Sequence, residues 1–299
     1  MPRLLQPTAL SVNSDDPFAR AAFAVIDAKR SEHTRSAYRT DLRRWIGFCA
    51  ELGIDPRSPS LADATAFRDQ LRTLIAEDSA RRTIAAMSSV YKTLLAGRAV
   101  RANPFHPSAL AWPVANTIAK TQLVSDEDAN AMIANAEKDR RPVGARDAAI
   151  LTLLFDTGLR RASVAQVLRK NYRKPMLRTI VKGGEEVEVL LPDSSIAALD
   201  RWLQVAPESL YLFPGERGPI NCATVNRLVN QRAKAVGAIN VHPHSFRAAF
   251  ATAGYDAGLP EFEIQRGMHH KDPSTTRRYD RGARGGMTAT KIATFRNRK

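Results

Sequence analysis

Apolar side chains recur along most of the chain at the spacing of helices that bury one face. From Ser31 onward, Tyr38, Leu42, Trp45, Ile46, Cys49 and Leu52 form a stripe at the helical period. Ser31 or Thr34 is placed to cap the start of this helix, and Gly53 to end it. A second helix is predicted over 61–75, opening near Ser58 or Ser60. A third, over 79–95, turns Ile84, Met87, Tyr91, Leu94 and Leu95 inward and Arg81, Arg82 and Lys92 outward. Residues 1–17 carry Pro2, Pro7 and Pro17 with little periodicity and read as a loose tail. The stretch 103–113 holds three prolines, which break any helix and mark the passage to a second domain.

Beyond that passage the pattern predicts helices over 125–137, 146–155, 161–168, 195–205, 222–236, 246–257, 260–267 and 275–281. Two short β-branched runs, 179–181 and 187–191, flank Lys182-Gly183-Gly184-Glu185-Glu186 and predict a β-hairpin. The expected fold class is mainly α. A tail over 1–17 leads to an all-helical domain over 18–108, and a linker over 109–120 follows. Residues 121–299 form a mostly helical domain with a small antiparallel β-sheet and a basic C-terminal tail.

Length and composition fit this two-domain, globular picture, with 299 residues, 44% apolar and 25% charged. No apolar run approaches the roughly 18–20 residues of a membrane span, and residues 1–12 lack the apolar segment of a signal peptide. Cys49 and Cys222 stand far apart without metal spacing and fit reduced thiols in a cytoplasmic protein.

Charge adds more. The formal balance is +15, from 45 Lys+Arg against 30 Asp+Glu, which points to a polyanionic partner. On the first helix Arg35, Arg39 and Arg43 stand four apart, so three guanidinium groups share one ridge. After His270 the chain carries nine basic residues against Asp272 and Asp280.

Several familiar chemistries are missing. No G-x-x-x-x-G-K-[ST] loop and no G-x-S-x-G elbow occurs, which removes the common ATP-driven and serine-hydrolase classes. His242-Pro243-His244 and His269-His270 have neither H-E-x-x-H spacing nor a Cys partner, so no metal or other cofactor is expected. What remains is an ordered series of polar residues at helix boundaries. Thr157-Gly158-Leu159-Arg160 sits at a helix break, and Lys182 at the hairpin tip. His244-Ser245-Phe246-Arg247 leads into an apolar helix, and His270 precedes Tyr279 by nine residues. Each residue alone could be a solvated or packed side chain.

Together they resemble the tyrosine recombinase (phage integrase) family over most of the chain. The matching boxes are 157–168 (TGLRRASVAQVL), 181–192 (VKGGEEVEVLLP), 244–252 (HSFRAAFAT) and 270–279 (HKDPSTTRRY). The stretch 34–48 (TRSAYRTDLRRWIGF) is similar to that family's core-binding domain. The resemblance implies a site-specific DNA recombinase in the two-domain layout of Cre or Xer proteins. It assigns Arg160 and Arg247 as catalytic arginines, Lys182 as the hairpin lysine, His244 and His270 as the site histidines and Tyr279 as the nucleophile. It also implies double-stranded DNA as partner, a homo-tetramer on two DNA sites, accessory DNA-bending proteins and no membrane. Arg35, Arg39, Arg43, Arg81, Arg82 and Lys92 are then expected to face DNA.

Elementary chemistry agrees with those roles. Arginine forks supply directional donors to the non-bridging oxygens of a phosphodiester as charge builds in the transition state. A phenol of pKa about 10 must lose its proton on attack, and a neutral imidazole of pKa about 6.5 accepts it. A lysine whose pKa is lowered by nearby cations suits the leaving 5′ oxygen. A covalent phosphotyrosine conserves the bond, so rejoining needs neither ATP nor metal.

Three positions depart from the family pattern. Ser163 stands where an acid is usual, Ala248 where many members have histidine, and His269 where glycine is frequent. Lys174 lies near Lys182 as a second lysine. Two other readings share these residues: a DNA-binding regulator without catalysis, and an enzyme of the type IB topoisomerase or telomere-resolvase kind. The former would have no need of Tyr279, and the compact length favours a recombinase over the latter.

Overall fold

The computed structural model describes residues 16–110, 112 and 122–280. The chain divides into two compact units, 1–115 and 116–299.

Among the described residues the first unit has four helices: α1 (Pro17–Asp27), α2 (Glu32–Leu52), α3 (Leu61–Leu74) and α4 (Glu77–Ala96). Local chemistry fixes their ends. Ser31 caps α2 by accepting from the Thr34 N–H, and Gly53 closes it at φ 67°, where a side chain would be strained. Ser60 and Asp63 cap α3 reciprocally. The unanticipated element is α1, whose Phe18, Ala22 and Ile26 are buried. Its short alanine-rich stripe follows Pro17 directly, and Asp16 caps it through the Phe18 and Ala19 N–H groups.

Trp45 lies at the centre of this core. Its ring packs 4.9 Å from Phe105 and 5.0 Å from Phe67, and its Nε1–H donates to the Tyr91 hydroxyl at 2.7 Å. Helix α4 already ends at Ala96, before the prolines that follow Asn103, and the proline stretch is not free chain. Phe105 and Leu110 are buried in the helical core, and the Asn103 side chain donates to the Ser88 carbonyl. Leu52 and Leu95, expected to face inward, are exposed at the ends of their helices.

In the second unit α5 (Asp126–Glu137) and α6 (Pro142–Thr157) lead to α7 (Arg161–Ala165), followed by a three-stranded sheet and α8 (Asp193–Val205). The chain continues through α9 (Cys222–Ala235), α10 (Pro243–Asp256), α11 (Glu261–Gly267) and α12 (Pro273–Arg277). Helix α6 is apolar nearly all round because α5, α8 and α10 cover it. The antiparallel sheet runs β1 (Tyr172–Arg173), β2 (Met176–Ile180), β3 (Glu186–Leu190), in register Thr179 to Val187. Strand β2 begins earlier than β-branching alone predicts, because alternation puts Leu177 with Thr179 on the buried face. A second pair, β4 (Pro214–Gly215) with β5 (Gly218–Pro219), had no signal in the sequence. Among the described residues no helix is long and apolar enough to cross a membrane.

Candidate active site

The site gathers at the C-terminal end of α6, the first turns of α10 and the segment after α11. Helix α6 stops at Gly158, whose φ of 58° is left-handed. A Cβ there would lie 2.7 Å from ring atoms of Phe250, so only glycine fits this close approach. The turn leaves Arg160 half-buried at the cap position of α7.

His244 and Arg247 are three apart near the start of α10, which puts both on one helix face. The Arg247 side chain is buried. Its Nη1 donates to the Gly158 carbonyl at 2.6 Å, and its Nη2 donates to the Met268 carbonyl and, at 2.8 Å, to Nε2 of His270. Burial first, and Arg160 second, pull its pKa down to about 10, which leaves it charged near neutral pH.

Tyr279 lies just past α12, which starts and ends two or more residues earlier than predicted; Asp272 caps its start by accepting from the Ser274 N–H. The ring is buried and stacks 6.2 Å from His270 at an interplanar angle of 9°. Its hydroxyl is 3.1 Å from Nε2 of His244. Burial raises the Tyr279 pKa, while Arg247, Arg160 and Arg278 oppose that rise. Burial, Arg247, His242 and Arg160 lower the pKa of His244. The pair is thus a neutral phenol beside a neutral imidazole, the arrangement in which the ring nitrogen can take the phenol proton. His270 is held down to about 3, by burial first and then by Arg247, Arg160, His244 and His269.

Five of the six expected residues are therefore brought together: Arg160, His244, Arg247, His270 and Tyr279. Lys182 is not. It is exposed on the Gly183-Gly184 turn and makes no hydrogen bond or ion pair among the described residues. The turn sits beside the segment following His270, where Lys271 pairs with Glu185 at 3.3 Å. Lys174, the alternative, is engaged by Asp200.

His269, at the position where glycine is frequent, has a φ of 49°. The preference for glycine there has a physical cause, since the chain turns left-handed between α11 and His270. Sequence reasoning missed Thr276 and Gln265. Thr276 Oγ1 is 2.8 Å from Nδ1 of His270, and Gln265 Nε2 donates to the His270 carbonyl at 2.9 Å. No spacing rule singles out either residue. Among the described residues no group of three or more His, Cys, Asp or Glu is placed to hold a metal ion.

The expected DNA-facing residues of the first unit differ in their commitments. Arg35 pairs with Glu32, and Arg39 with Asp27 at 2.7 Å and Glu32 at 3.4 Å. Arg81 pairs with Glu77 and lies 5.0 Å from the Trp112 ring centroid. Arg82 grips the fully buried Asp41 with two bonds, at 2.6 and 3.0 Å. Arg43 and Lys92 are exposed and make no hydrogen bond or ion pair among the described residues.

A fold with a helical first unit, and a second unit carrying two arginines, two histidines and a tyrosine, defines a strand-transferring enzyme of the tyrosine type. The chain belongs to the phage integrase family. The family's sequence pattern matches residues 122–284, and the pattern of its N-terminal SAM-like domain matches 24–97. The chain is similar to tyrosine recombinase XerC of Pelobacter propionicus, 32% identical across 83% of this chain and 84% of the relative. It is also similar to tyrosine recombinase XerD of Shewanella oneidensis, 27% identical across 86% and 88%. Among solved structures, the Tn1549 transposon integrase in complex with transposon right end DNA shares the fold at a TM-score of 0.70 and 17% identity, covering 93% of this chain and 98% of that one. A lambda integrase dimer bound to a core site shares it at 0.67 and 15%, covering 89% and 95%.

Proposed function

We propose that this site-specific recombinase cuts and rejoins DNA through Tyr279, one strand at a time. The Tyr279 oxygen attacks a backbone phosphorus, the Tyr–O–P bond forms at the 3′ phosphate, and the 5′ oxygen leaves. His244 takes the phenol proton as the bond forms, and the 5′ oxygen gains a proton from Lys182 once the hairpin tip closes on DNA. Arg160 and Arg247 bind the non-bridging oxygens as negative charge develops. Attack by a free 5′-hydroxyl on the phosphotyrosine reverses these steps, and no ATP or metal is consumed.

The observation that carries this reading is the 3.1 Å contact between the Tyr279 hydroxyl and His244, with Arg247 held beside it. Roles for Arg35, Arg39, Arg43, Arg81, Arg82 and Lys92 at DNA phosphates belong to the same proposal. So do a domain division at 18–108 and 121–299, assembly as a homo-tetramer on two DNA sites, accessory DNA-bending proteins and a cytoplasmic location. The DNA complexes of the Tn1549 and lambda integrases, which share the fold, support the DNA partner, proposed here as double-stranded.

The test is covalent trapping. A nicked suicide duplex carrying the recombination site is expected to give a protein–DNA adduct that disappears in Tyr279→Phe. An adduct that persists in that variant assigns the nucleophile elsewhere. Site-specific binding without any adduct supports a non-catalytic regulator instead.

A further inference from the structure

We infer that Thr276 is a positioning residue of this site: its hydroxyl holds His270 in the Nδ1–H form and thereby aims the Arg247 guanidinium. The inference rests on the strand-cleavage reading above. Thr276 is fully buried on α12, with Oγ1 2.8 Å from Nδ1 of His270. Across the same ring, Nε2 lies 2.8 Å from Nη2 of Arg247. A guanidinium can only donate, so Nε2 must present its lone pair. The ring is neutral, held there by burial and by Arg247 and Arg160. A neutral imidazole carries one N–H, which therefore lies on Nδ1 and donates to Thr276.

The backbone is pinned as well. The His270 N–H donates to the Gln265 carbonyl at 3.1 Å, while the Gln265 amide donates back to the His270 carbonyl at 2.9 Å. With its peptide held and its Nδ1 engaged, the ring has one orientation in which every polar atom is satisfied. The opposite tautomer would turn an N–H toward the Arg247 N–H, and a flipped ring would turn a C–H toward it. Arg247 would then keep only the Gly158 and Met268 carbonyls from this cradle and lose its lateral aim. Among the described residues no carboxylate bonds to Arg160, Arg247, His244 or His270. Ser163 stands where an acid is usual, and its carbonyl accepts from Thr179 instead. In this chain a hydroxyl acting through a histidine aims the arginine where no carboxylate does so.

The test reads the tautomer directly. Nitrogen NMR of 15N-histidine-labelled full-length protein, without DNA, is expected to show His270 protonated on Nδ1 and bare on Nε2 near neutral pH. Thr276→Ser keeps that signature, and Thr276→Val shifts protonation to Nε2 or to a mixture. With nicked suicide duplexes, Thr276→Val slows adduct formation by about tenfold or more at unchanged DNA affinity, while Thr276→Ser stays near wild type.

A wild-type His270 protonated on Nε2 overturns the inference, as does a folded valine variant with wild-type cleavage. Should the valine variant fail to fold, the wild-type tautomer and the serine variant carry the decision. Failure of the wild-type protein to form any adduct would instead defeat the strand-cleavage reading and leave the tautomer result standing.

Discussion

Replacing His244 by alanine tests the step that the free site makes hardest, loss of the Tyr279 proton. An ordinary phenol, with a pKa of about 10, is ionised to about one part in 10³ at pH 7. Burial raises Tyr279 further, so its phenolate is scarcer still. Attack by a pre-formed phenolate thus carries a penalty of at least ~4 kcal/mol at pH 7 unless the proton leaves in the same step. His244 can receive it across 3.1 Å. His244→Ala is therefore expected to lower single-turnover adduct formation by about 10²–10³-fold at pH 7. The pH profiles must then diverge. Wild type depends on a base whose pKa is depressed, so its rate is level above about pH 6.5 and falls only in more acidic solution, as imidazolium forms. The alanine variant gains about tenfold per pH unit above pH 7, as hydroxide ionises the phenol. The assay is the rate at which protein becomes covalently linked to a suicide duplex, read on a denaturing gel. Cleavage at the wild-type rate at pH 7, or a variant profile as level as the wild type's, would refute the assignment of His244 as proton acceptor.

Three further outcomes follow from the geometry. Arg82→Ala leaves the buried Asp41 with Thr83 at 2.9 Å and Arg44 at 3.5 Å, and should lower unfolding stability by about 1–2 kcal/mol in denaturant titration, since Arg82 is itself half-exposed. Arg43→Ala should leave stability within about 0.5 kcal/mol and flatten the salt dependence of DNA binding by about one in slope; the reverse pattern would exchange their roles. Gly158→Ala meets Phe250 at 2.7 Å in a left-handed turn and should cost about 2–4 kcal/mol of stability and slow cleavage, because the Gly158 carbonyl anchors Arg247. Unchanged thermal unfolding and cleavage in that variant would show that the turn tolerates a side chain.

The residues that were legible in the sequence are those whose relation is local. His244 and Arg247 share a helix face because they are three apart, and Gly158 announces both the end of α6 and the turn that presents Arg160. The stripe through Trp45 predicts α2 because burial of one face repeats every turn. What stayed hidden depends on distant partners. Arg82 looks like a free basic residue beside Arg81, and only the fold brings it to Asp41, 41 positions away. The Arg35 and Arg39 ridge is likewise answered by Glu32 and by Asp27 from the helix before it. Periodicity missed α1 because the helix is short and half of its buried residues are alanine, and the β4–β5 pair because it spans two residues per strand. Which histidine meets the tyrosine could not be read either, since His270 is nearer in sequence but stacks on the ring, while His244 reaches the hydroxyl.

The arginine pair ties the site's electrostatics to its stability. Burying a guanidinium without a carboxylate is unfavourable, and Arg247 shows it in a pKa pulled down to about 10. For a base, a folded-state pKa below the unfolded one lowers stability at every pH below that value, here by an amount of order 3 kcal/mol. Two backbone carbonyls and an imidazole lone pair orient the charge without neutralising it. The charge of Arg160 depresses Arg247 further, so two positive groups share the site. An anion between them would relieve both, and a phosphodiester has the right charge and the acceptor geometry that two forks can use. The same positive field opposes the rise of the Tyr279 pKa and, after burial, helps to keep His244 and His270 neutral. On the proposed reading, one electrostatic arrangement thus costs stability in the free protein, prepares His244 to accept a proton and awaits the group that Tyr279 would attack.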